Sequence, residues 1–213
     1  MLMNSNLEYE IENSCAGKPI KSAMHSFSTD FLAGCKKFSE LANNSEISQD
    51  VTIFNTSCII NAASYLEAKI NEEIAIAVIC YEETDAEGKA WRAIQNLQQK
   101  LNVHEKWDLV ALRTNGIEWN KAVEPFQSIE LIISLRNELV HYKGAFLGKD
   151  EAPNRKITGL MKQLGVSSKA RWIEDDCSSW VADLLCSKKL AEWIYHSISR
   201  FSESYYELRH PKK

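Results

Sequence analysis

From Asp50 to Glu83 the chain reads DVTIFNTSCIINAASYLEAKINEEIAIAVICYEE, with no glycine or proline to interrupt it. In places the tract is apolar on nearly every side, and a helix apolar all round has to be buried. Its partners must therefore enclose it. Only eight glycines and four prolines punctuate the 213 residues, and no segment alternates apolar and polar residues between hairpin turns. The fold is predicted to be all-α, a helical bundle with this long helix at its centre. A 45% apolar composition supplies one sizeable core, so residues 1–213 are expected to form a single domain.

Other helices follow from the same periodicity. Met24, Phe27, Phe31, Leu32, Cys35 and Phe38 recur at helical spacing and predict a helix beginning after Pro19 and stopping near the NNSE of residues 43–46. Residues 1–18, before it, are polar and expected to be loosely attached. Trp91, Ile94, Leu97 and Leu101 mark an amphipathic stretch, after which His104 to Asn120 looks irregular. Trp91, Trp107 and Trp119 are expected to anchor the core. A helix from about Ala122 to Lys143 takes Pro125 in its first turn, where a missing N–H costs little, and stops at Gly144. Residues 144–171 form a Gly- and Pro-dotted basic insertion with a short helix in ITGLMKQLG, and a final helix or helix pair runs from about Asp176 to Arg209.

Several function classes are excluded at this level. The formal charge of −4 gives no whole-chain signature of a nucleic-acid or membrane-surface binder, so any polyanion site must be local. The N-terminal MLMNSNLEYEIEN lacks the basic and apolar regions of a secretory signal, and IAIAVIC is too short to span a bilayer. A cytoplasmic protein without membrane contact is expected. Cysteines 15, 35, 58, 80, 177 and 186 form no C-x-x-C pair and read as reduced core residues. No Gly-rich phosphate loop, nucleophile elbow or zincin motif is present, so neither cofactor nor metal is predicted.

The polar groups that invite chemistry sit at the end of one apolar helix. In SLRNELVHYKG, Leu131, Ile132, Leu135 and Leu139 form the buried stripe, and Arg136 and Asn137 lie beside it. Asn137 and His141 are four apart, on one face, where the amide can hold one imidazole nitrogen and set its tautomer. Arg136 and His141 are about 140° apart around the helix, so only the length of the arginine side chain lets both meet one ligand. The last helical turn also favours an imidazolium. A basic residue and a histidine at a helix end are ordinary dipole-complementing choices too, and the spacing alone does not separate the two readings.

Arg136-Asn137-Glu138-Leu139-Val140-His141 resembles the R-N-x-x-x-H form of the R-x(4–6)-H motif of HEPN domains. The similarity covers about Phe126 to Gly144, with a looser likeness in NAASYLEAKINEE of the long helix. The resemblance implies a helical bundle and a metal-independent endoribonuclease of toxin–antitoxin or phage-defence type, with Arg136 and His141 catalytic. It also implies a homodimer whose motif helices meet near the two-fold axis, and possible control by an antitoxin or defence-system partner protein. Where some members carry a modifiable tyrosine two residues past the histidine, this chain has Lys143, with Tyr142 one residue earlier.

Cleavage of RNA without metal needs a base for the ribose 2′-OH, an acid for the leaving oxygen and a cation for the crowded phosphorane. One motif provides one His. A symmetry mate supplies another. Asn137, Tyr142, Asn61 and Glu67 are candidate supporting residues. Between Lys143 and Arg171 seven basic residues stand against Asp150 and Glu151, and Lys143, Lys149, Arg155 and Lys156 are the candidate RNA contacts. The alternative is a non-catalytic HEPN-like module that binds RNA, a nucleotide or a partner protein, which Glu138 and the acidic chain favour.

Overall fold

A computed structural model describes residues 25–140, 153–166 and 179–209, the last of these without its side chain. The described residues form eight α-helices and no strand: α1 (Phe27–Asn44), α2 (Ser48–Cys80), α3 (Ala86–Leu97), α4 (Val103–Asn115), α5 (Phe126–Val140), α6 (Arg155–Leu164), α7 (Trp180–Leu185) and α8 (Lys188–Arg209). The chain is an all-α helical bundle, as its patterning predicts. No described helix is long and apolar enough to cross a membrane.

The glycine-free tract is α2, and it is the axis of the bundle. Val51, Asn55, Cys58, Ile59, Ala62, Tyr65, Leu66, Ile70, Ile74 and Ala77 are buried along it, a three-and-four spacing wide enough to serve neighbours on several sides. Helices α1, α3, α4, α5, α7 and α8 all touch it. Packed against both α1 and α2, helix α8 contributes Leu190, Ala191, Ile194, Ile198, Phe201 and Tyr205 to the same core. Each fully buried leucine, isoleucine or phenylalanine contributes about 1.5–3 kcal/mol, which is why so long a helix needs neighbours along its whole length.

Local signals set the ends. Helix α1 begins at Phe27, later than the apolar spacing after Pro19 suggests. Its first turn is held from another helix: Glu72 of α2 accepts the Ser28 backbone N–H at 2.9 Å and the Ser28 hydroxyl at 2.6 Å, a carboxylate at the positive helix end. Met24 lies outside the described residues. The irregular region expected over His104 to Asn120 is largely helix α4. Asn102 accepts the Glu105 N–H at 3.0 Å while Glu105 accepts the Asn102 N–H at 2.8 Å, a capping box that starts the helix. Gly116, at φ 76°, ends it.

Trp91 and Trp107 are buried and Trp119 packs partly buried against the core. Trp107 donates its indole N–H to the Leu66 carbonyl at 3.2 Å and meets Phe201 and Tyr205 edge-on. Pro125 falls just outside α5 after a cis bond to Glu124, and its carbonyl accepts the Ile129 N–H. The cysteine reading holds for Cys35 and Cys58, both buried free thiols. It fails for Cys186, which is exposed, and Cys80 is half-buried; Cys186 follows the last turn of the short α7, where the backbone turns back at the surface. Cys15 and Cys177 lie outside the described residues.

Candidate functional site

Two helical faces make the walls of an open groove of about 1040 Å3. On α2 the lining positions are the set 64, 67, 68 and 71 with 63 and 72 beside it, and on α5 the set 130, 133, 134 and 137 with 136 beside it. Each set follows the i, i+3, i+4, i+7 rule of one helix face. The first turn of α4 and Lys156 of α6 also line the groove, as do His25, just before α1, and Phe27 and Phe31 near its start.

Arg136 and Asn137 are both in this groove. The Arg136 guanidinium donates from Nη1 to the Asn137 amide oxygen at 3.0 Å, and among the described residues it has no carboxylate partner. That contrasts with its surroundings. Glu72 is engaged by Ser26 and Ser28, Glu67 by Lys106, and Glu130 by Lys156. Each groove carboxylate already has a donor, so none neutralises Arg136. A half-exposed guanidinium with open hydrogen-bonding capacity beside a groove is suited to an anion with two acceptor oxygens.

Glu67 is at the groove as a supporting residue would be, but its direct partner is Lys106, whose Nζ also reaches the Asn71 amide oxygen at 3.2 Å. Lys106 is only 5% exposed, and it ties α4 to α2. Asn61 is placed elsewhere. Its amide donates to the Ser57 carbonyl at 2.8 Å and its oxygen faces Gly34 of α1, so it serves the α1–α2 contact and does not line the groove. Lys156 lines the groove while Arg155, exposed at the start of α6, does not. His141, Tyr142, Lys143 and Lys149 lie outside the described residues.

His104, on α4, is a groove residue that its spacing did not flag. Its ring packs against Phe126 at 5.7 Å between centroids. Burial holds its imidazole below the ordinary histidine range; Glu130 and Asp108 act to raise it, and Lys121 and Lys156 act with burial. Among the described residues no cluster of three or more His, Cys, Asp or Glu side chains is arranged to hold a metal ion.

Compared with known proteins, the chain matches no family model, no curated protein and no solved structure.

Proposed function

We propose that this chain is a HEPN-type, metal-independent endoribonuclease of toxin or phage-defence kind, acting as a homodimer. The observation that carries the proposal is Arg136, placed on an open groove and left without a carboxylate partner among the described residues. A structural arginine at a helix end would be expected to be paired or packed against carbonyls.

In this reading the guanidinium neutralises the phosphorane that forms when a ribose 2′-oxygen attacks the adjacent phosphorus. His141, four positions after Asn137 in the sequence, acts as the proton-transfer group. The second proton-transfer group comes from the symmetry mate. Lys143, Lys149, Arg155 and Lys156 hold neighbouring phosphates, with the cytoplasm as the site of action and an antitoxin or defence partner as restraint.

The test is cleavage of RNA by the purified chain in EDTA. Arg136→Ala and His141→Ala are each expected to lower the rate by at least about a hundredfold, the scale of losing one charge-stabilising or proton-transfer group, with helicity and dimerisation retained. Undiminished cleavage by either variant, or none by the wild type, defeats the reading.

Glu138 within the motif and the acidic chain favour a second reading, a non-catalytic module that binds RNA. It requires salt-sensitive RNA association that survives His141→Ala, without cleavage.

A further inference from the structure

The proposed reaction draws one imidazole from each chain, yet two described histidines line the Arg136 groove: His25, exposed and paired with Asp30, and His104, which reaches it from α4. His104 is the second residue of α4, directly after Val103 and the Asn102 cap. Its Nδ1 is buried and has no hydrogen-bond partner among the described residues. Protonating that atom would bury an N–H with no acceptor, and in the imidazolium would bury part of a positive charge as well. The ring is therefore neutral, with its single proton on Nε2. The surrounding charges do not reverse this. Glu130 of α5 and Asp108 of α4 favour the cation, Lys121 and Lys156 of α6 oppose it, and burial decides. The start of α4 adds the positive end of a helix dipole.

We propose that His104 is a ligand-contacting residue of this groove, a neutral imidazole whose Nε2–H donates to a phosphate oxygen of the same phosphodiester that Arg136 holds. Only the ligand class rests on the endoribonuclease reading. A neutral donor on α4 complements the charge that Arg136 brings from α5, whereas a further full charge would compete with Lys156 for Glu130. Donation from α4 to an anion held on α5 fixes the phosphate from two helices, which Arg136 and Asn137, adjacent on one helix, do not achieve alone.

The experiment uses the full chain and a dinucleoside phosphodiester lacking the 2′-hydroxyl, which cannot be cleaved by 2′-oxygen attack. In imidazole nitrogen NMR at neutral pH, His104 is expected to show an unprotonated Nδ1 and a protonated Nε2, and the probe is expected to shift Nε2 and leave Nδ1 unmoved. His104→Leu keeps an apolar side chain against Phe126 and loses the donor; its affinity for the probe is expected to fall about tenfold, the scale of one hydrogen bond to a charged group. His104→Gln keeps an N–H donor and is expected to stay within about threefold of wild type. Thermal melts report whether either variant has lost its fold. Wild-type affinity in a folded His104→Leu variant, a protonated Nδ1, or no binding of the probe to the wild type overturns the proposal. A wild type that binds the probe through His104 but cuts no RNA defeats the nuclease reading and leaves this one standing.

Discussion

The carboxamide oxygen of Asn55, near the N-terminal end of the α2 core face, accepts the backbone N–H of Ala191 in α8 at 2.9 Å. The same amide's nitrogen donates to the Leu185 and Ser187 carbonyls at 2.6 and 2.9 Å. A single fully buried side chain thus satisfies three backbone groups at the α7–α8 turn, where helix ends leave such groups unpaired. Asn55→Ala would strand them, and a loss of about 3 kcal/mol is expected in urea unfolding followed by circular dichroism. Asn55→Asp is expected to be worse, because a carboxylate cannot donate to either carbonyl and buries a charge.

Gly88 is held in a close contact with the backbone. A β-carbon there would overlap the backbone carbonyl oxygen of Glu82, in the turn that joins α2 to α3. Backbone cannot step aside as a side-chain tip can, so Gly88→Ala is expected to cost about 2 kcal/mol. Gly159, inside α6, has open space around its β position. Gly159→Ala is accordingly expected to stabilise by about 0.5–1 kcal/mol. Thermal melts of the two variants should move in opposite directions.

The neutral His104 ring predicts a pH effect with a defined sign. Its folded pKa lies below the ordinary value because of burial first, so the unfolded chain takes up the proton more readily. Stability is then free of this penalty above the unfolded pKa of about 6.5, and declines as pH falls from there through the depressed folded value. His104→Gln has no proton to take up at this position. Urea unfolding of both proteins across that interval should show the wild type losing stability relative to the variant on the acid side, and parallel curves would contradict the buried neutral ring.

How much of this was legible in the chain depends on whether a feature is local. The all-α class and the central position of α2 follow from composition and the absence of breakers over Asp50 to Glu83. Helix α4 was legible in principle, since Asn102 and Glu105 form the N-x-x-E pair of a capping box and Val103, Trp107, Val110 and Ala111 recur at helical spacing. Asn61 and Glu67 show the limit. They lie about 120° apart around α2, so one had to face a different neighbour from the other, and only the packing of α1 and α4 decides that Asn61 meets Gly34 and Glu67 meets Lys106. The approach of His104 to Arg136's groove joins segments more than thirty positions apart, and no motif encodes it.

Lys156 and Arg155 stand side by side in sequence and were equivalent candidates for gripping phosphate, yet the groove takes only Lys156. The Lys156 Nζ sits 2.5 Å from Glu130 Oε2, and the side chain is 67% exposed. An ion pair that exposed contributes little, so a phosphate can take the lysine from the carboxylate at small cost. Lys156→Gln is expected to weaken RNA association and to lower the slope of log affinity against log salt by about 1, while Arg155→Gln has the smaller effect. Glu130→Gln frees the ammonium and should act in the opposite direction, tightening association. Fluorescence anisotropy of a labelled RNA, titrated between about 50 and 200 mM salt, reads all three. If Lys156→Gln leaves the slope unchanged while Arg155→Gln reduces it, the phosphates run along the outer face of α6 and not through the groove that holds Arg136.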